Sequence, residues 1–90
     1  MSKLRHIETA SRQAALIQSI IDDLERTVQI LHFDIYTEEG RARVFDEADP
    51  LYPMLARTLR SRAENLGVTI ADLKNRLTSL DPEQEVRKAA

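Results

Sequence analysis

The chain has no cysteine and no tryptophan, and its 90 residues include only two glycines, three prolines and four aromatics. Without cysteine there is no disulfide framework, no thiolate metal site and no thiol nucleophile, so Cys-based zinc modules are excluded. Two isolated glycines supply neither a phosphate loop, a dinucleotide fingerprint nor a Gly-x-Ser-x-Gly elbow. So few turn-formers leave little chain for the many reversals of a sandwich or barrel. No uninterrupted apolar run is present, and the start, Met1 to His6, soon meets charged residues. Neither a signal peptide nor a membrane span is expected, and the cytoplasm is the default compartment. Charge of one sign is also missing: the net formal charge is −2, which argues against a dedicated nucleic-acid binder.

What is present is 42% hydrophobic and 31% charged residues in a helical pattern. Apolar positions recur at alternating steps of three and four: Ile7, Ala10, Ala14, Ile17, Ile21, Leu24, Val28, Leu31, Ile35. This sets a heptad with a at Ile7 and d at Ala10. The phase continues through one polar exception, Glu38, to Ala42 and Phe45. No proline interrupts the pattern before Pro50, and Gly40 costs a helix only about 1 kcal/mol. One helix over about residues 3–44 is expected, with Gly40 the point where it would end early.

A second series runs Tyr52, Ala56, Leu59, Ala63, Leu66, Ile70, Leu73, Leu77, Leu80. Asp49-Pro50 reads as its N-cap and first helical residue, and Asp81-Pro82 as its end. The expected architecture is therefore all-α. It is an antiparallel, coiled-coil-like two-helix hairpin in one domain over residues 1–81, with a turn at about 45–50, a second helix at about 51–80 and a tail at 82–90. The tail forms one more turn or frays; in the first case Val86 covers Ile7 or Ala10.

Two registers close the seam. One pairs Ile17 with Leu77, Ile21 with Leu73, Leu24 with Ile70, Val28 with Leu66, Leu31 with Ala63 and Ile35 with Leu59. The other pairs Leu24 with Leu73, Leu31 with Leu66 and Phe45 with Tyr52. Both bring Asp22, Asp23 and Glu25 to the level of Lys74 and Arg76.

Two helices touching along one stripe make a poor core. Leu16, Ile20 and Ile30 fall at c and g positions of the first helix and widen its apolar arc. Burying all three contributes roughly 5–8 kcal/mol, which favours a homodimer packed helix 1 against helix 1 as a four-helix bundle.

Residues 34–53 carry a net charge of −4 and residues 54–80 a net charge of +3. Phe33, Tyr36, Phe45 and Tyr52 surround the turn, either as a packed cluster closing the hairpin or as a binding tip. In the second reading Tyr36, Phe45 and Tyr52 anchor a basic or peptide partner beside Glu38, Glu39, Asp46, Glu47 and Asp49. Arg57, Arg60, Arg62, Lys74 and Arg76 form either a solvated face pairing with the acids of the first helix or a site for an anionic partner.

The stretch Ala63-Glu-Asn-Leu-Gly-Val-Thr-Ile-Ala-Asp-Leu73 resembles the helix-turn-helix pattern of DNA-binding proteins over eleven residues. The resemblance implies a left-handed Gly67, a cap at Thr69 and a recognition helix from Ile70 that brings Lys74 and Arg76 to DNA. Against it, the heptad passes Leu66 to Ile70 without a phase slip, and Asp72 in the leading turn meets phosphate repulsion.

Histidine chemistry is sparse. No Glu stands three residues before a His, as di-metal bundles require, and Glu25, Gln29 and His32 make an incomplete ligand set. No metal, cofactor or catalytic residue is expected, and no enzyme. The sequence points to a protein that acts by association, with a small DNA-binding regulator over residues 63–77 as the alternative.

Overall fold

A computed structural model describes residues 2–80, with side chains from residue 8 onward. Two helices, α1 (Ser2–Ala42) and α2 (Met54–Ser79), pack against each other as a hairpin, and the described residues contain no strand. At 1.5 Å per residue α1 spans about 62 Å, matching the 63 Å long dimension of the molecule. The shortest dimension, 13 Å, is the thickness of one helix.

α1 ends two residues beyond Gly40, which stays helical. Arg43 adopts a left-handed conformation (φ 57°), and the Val44 N–H donates to the Glu39 carbonyl at 3.3 Å. This is Schellman closure, with an arginine where glycine is usual.

The turn is built by two successive Asx motifs. Asp46 Oδ1 accepts the Ala48 N–H at 2.9 Å, and Asp49 Oδ1 accepts the Leu51 N–H at 2.8 Å. Their carbonyls accept the N–H groups of Asp49 and Tyr52, both at 3.0 Å. This corrects the expected helix start. A helix begun at Pro50 needs the amide of residue 53 as its first internal donor, and Pro53 has none. Pro53 is the N-cap instead, extended at φ −60° and ψ 129°, and its carbonyl accepts the Arg57 N–H at 3.1 Å.

The seam buries Ile21, Leu31 and Ile35 of α1 against Ala56, Ala63 and Ile70 of α2, with Tyr52 closing the turn end. Ile35, Tyr52 and Ala56 form one cluster, against which Leu59 and Val44 pack. Two ion pairs cross the seam, Glu25 with Lys74 and Glu39 with Arg60.

The expected pair of Phe45 with Tyr52 at the tip is not formed, since Tyr52 is buried while Phe45 is 59% exposed. The heptad also slips at the end of α1. Glu39, not Glu38, is the buried acid, and Ala42 is exposed.

α2 is unbroken from Met54 to Ser79, so the turn implied at Gly67 by the helix-turn-helix resemblance is not formed. Its last turn closes with the Leu80 N–H donating to the Leu77 carbonyl at 3.2 Å. The side chains of His6 and Ile7, the Asp81-Pro82 stop and the 82–90 tail lie outside the described residues.

Candidate association face

The strongest polar constellation lies where α1 ends and α2 begins. Glu39, 5% exposed, accepts hydrogen bonds from Arg60 Nη2 at 2.9 Å and from the Tyr52 hydroxyl at 3.0 Å, both at Oε2. Arg60 Nε donates to the Tyr52 oxygen and reaches Glu47 Oε1, each at 2.7 Å. Arg57 stacks over the Tyr52 ring, 5.3 Å from its centroid, and its Nη2 donates to the Glu47 carbonyl at 2.9 Å.

No buried side-chain nitrogen or oxygen among the described residues lacks a partner. The Arg60 guanidinium holds the Glu39 carboxyl below its ordinary value, against the opposing pull of burial, with Tyr52 adding to the effect. The same contacts raise Arg60. These bonds tie the end of α1 to the start of α2 and staple the turn.

The heptad explains where the polar bonds fall. Glu25, His32 and Glu39 occupy successive e positions of α1; Arg60, Gly67 and Lys74 occupy successive e positions of α2. The outer members pair, Glu25 with Lys74 and Glu39 with Arg60, each at 2.9 Å. In the middle His32 and Gly67 line a shallow groove of about 250 Å³, with Val28, Ile35, Arg60 and Glu64 on its walls. From residue 10 to residue 80, all side-chain bonds joining the helices use this row and Tyr52.

The opposite broad face has a different character. Antiparallel neighbours place e beside e on one face and g beside g on the other. On the g face α1 presents Leu16, Ile20 and Ile30, which are 63%, 41% and 57% exposed. Leu55 occupies a g position of α2 and is also exposed. Beside that row, the d-position residues Leu59, Leu66 and Leu73 are only half-buried, whereas the a-position residues Ala56, Ala63 and Ile70 on the e side are buried. Leu59, Leu66 and Leu73 thus border the g face, and Ala56, Ala63 and Ile70 sit under the ion pairs.

The three residues expected at a dimer interface therefore share one exposed face. The tip residues separate: Tyr52 turns inward, while Tyr36 and Phe45 are 71% and 59% exposed. The acids around them are largely engaged. Glu39 and Glu47 hold Arg60, Asp46 and Asp49 cap the turn, and Glu38 meets Arg41 at 3.3 Å.

Lys74 is tied to Glu25, while Asp22 accepts from Gln18 and Asp23 pairs with Arg26 within α1. The sequence pattern did not reveal the staple, because Glu39 lies one residue off the heptad. The only signal for it was the polar break at Glu38.

The described residues contain no group of three metal-ligating side chains, and no helix among them is long and apolar enough to cross a membrane. No protein-family model matches the sequence, and neither a curated protein nor a solved structure does.

Proposed function

We propose that this chain is a small non-enzymatic helical protein that acts through association, first with a second copy of itself. Two hairpins join their g faces and bury Leu16, Ile20 and Ile30 in the core of a four-helix bundle. The supporting observation is the sidedness of the hairpin. One broad face is bridged by the two interhelical ion pairs, and the other presents the aliphatic side chains of Leu16, Ile20 and Ile30.

Shape supports the same reading. The surface is 7300 Å², against about 5,400 Å² for a compact chain of this size. The excess of roughly 1,900 Å² is ample for a standard interface of about 800 Å² per partner. A slab one helix thick has no second layer, and stable domains bury an apolar face between two. Phe45 and Tyr36 stay accessible to a further protein partner.

Light scattering on the wild type and on Ile20→Glu tests the reading. The wild type has the mass of a dimer, and the variant shifts to monomer with its helicity retained. A monomeric wild type, or a variant dimer of unchanged strength, overturns it.

A further inference from the structure

Resting on the dimer reading, we infer that the two copies meet through α1, antiparallel, about a twofold axis at the level of Glu25, and that Phe33 belongs to the contact. The exposed apolar side chains are unevenly divided between the helices. Past its first turn α2 exposes one large aliphatic residue, Val68, whereas α1 exposes Leu16, Ile20, Ile30 and Phe33, the last at 72%. These four occupy positions c, g, c and f of the heptad. Position f lies opposite the a and d seam, and c and g follow it on one side, so the four form a single stripe on the flank of α1 turned away from α2. Within the described chain only a second copy of α1 offers a matching stripe, and a twofold contact requires a surface that complements itself.

The stripe does so when reversed. From Leu16 to Asp34 positions c and g alternate at steps of four and three, the spacing that packs two helices along a seam. Centred on Glu25 and run antiparallel, Ile20 lies opposite the partner's Ile30, Leu16 beside the partner's Phe33, and Asp23 opposite the partner's Thr27. Every contact repeats across the axis. Together they extend over about 26 Å of α1, at 1.5 Å per residue.

Charge decides between antiparallel and parallel helices. The charged residues at c and g are Asp23, Asp34 and Arg41, and Arg12 and Arg26 flank them at f. Two parallel α1 helices set each of these at the level of its own copy, with acid on acid at Asp23 and Asp34. In the antiparallel pair no acid stands opposite an acid. Asp34 falls opposite Leu16 at the rim, and Arg41, already held by Glu38, falls opposite Thr9. At the axis the Asp23 and Arg26 of each copy, 3.6 Å apart within the chain, gather as two acids and two bases. Juxtaposed like charges cost several kcal/mol across an interface, which makes charge a selector of orientation. Arg62, Asp72 and Arg76 lie on α2, outside this contact.

The chain has no cysteine, so Ala42→Cys, at the exposed end of α1, carries a single nitroxide. Pulsed electron resonance on the dimer reads the distance between the two labels. The antiparallel pair separates them by about 50 Å, the rise of about 34 residues. Parallel α1 helices, or α1 stacked on the partner's α2 with the turns together, bring them within about 30 Å, a few helix spacings of 8–10 Å. The long distance supports the inference, and the short one overturns it while leaving the dimer standing.

Phe33→Ala gives an independent measurement on a side chain outside the hairpin seam. It weakens dimerisation on the order of tenfold with helicity unchanged, whereas Tyr36→Ala, at position b beyond the stripe, leaves dimerisation as it is. Dimerisation indifferent to Phe33→Ala, or equally sensitive to both substitutions, overturns the inference. A wild type that is monomeric by light scattering removes the dimer reading itself, and the inference with it.

Discussion

The carboxylate of Glu39 and the guanidinium of Arg60 meet at 2.9 Å across the two helices, 21 residues apart in sequence, with the Tyr52 hydroxyl bonded to both. The contact joins the last turns of α1 to the first turns of α2. It therefore fixes how the chain leaves one helix and enters the next.

Removing only the hydroxyl isolates the polar part of this staple. Tyr52→Phe leaves the ring under Arg57 and takes one hydrogen bond from each charged partner, and a loss of about 1–2 kcal/mol is expected in denaturant unfolding. Breaking the outer ion pair with Lys74→Ala costs less, below about 1 kcal/mol, because Lys74 and Glu25 have side chains 59% and 45% exposed and water screens them. Equal losses in the two variants would show that the turn staple is no better buried than the outer pair.

Acid weakens the staple in a defined direction. Arg60 holds the folded-state carboxyl of Glu39 below its ordinary value of 4.5. Its stabilisation is complete above that value and is lost as pH falls through the lower folded-state one. Glu39→Gln lacks this term, so its stability is expected to fall less steeply than the wild type's on the acid side. Parallel pH profiles in thermal melts would contradict the assignment.

Both glycines are helical, with open space where a Cβ would stand. Gly40→Ala and Gly67→Ala are each expected to raise stability by about 1 kcal/mol, since alanine loses less backbone entropy and fits a helix better. A fall in stability for Gly67→Ala would indicate that the groove beside His32 is occupied in solution.

Arg43 is the opposite case, a side chain in a left-handed conformation where glycine fits without strain. Arg43→Gly is expected to stabilise the chain by about 1 kcal/mol, read as a higher melting temperature. Gly40→Ala and Arg43→Gly together separate a helix interior from a helix end by the opposite effects of adding and removing a Cβ.

Periodicity alone determined the all-α hairpin, the membership of the seam up to Ile35 and the exposure of Leu16, Ile20 and Ile30. These follow from 3.6 residues per turn and the cost of leaving aliphatic side chains in water. The tertiary structure decided what periodicity leaves degenerate. The pattern pairs Phe45 with Tyr52 in one of its two registers, yet only Tyr52 is buried and Phe45 stays exposed. The start of α2 moved from Pro50 to Met54 because the missing amide of Pro53 removes a helix donor while the Asx turns satisfy the chain before it. The continuity of α2 through Gly67 was set by packing on both sides, with Ala63 and Ile70 buried, since a glycine by itself permits a turn without requiring one. The difference between the polar e face and the aliphatic g face also became visible only with the helices side by side. A heptad assigns positions around one helix, whereas a face is a property of two.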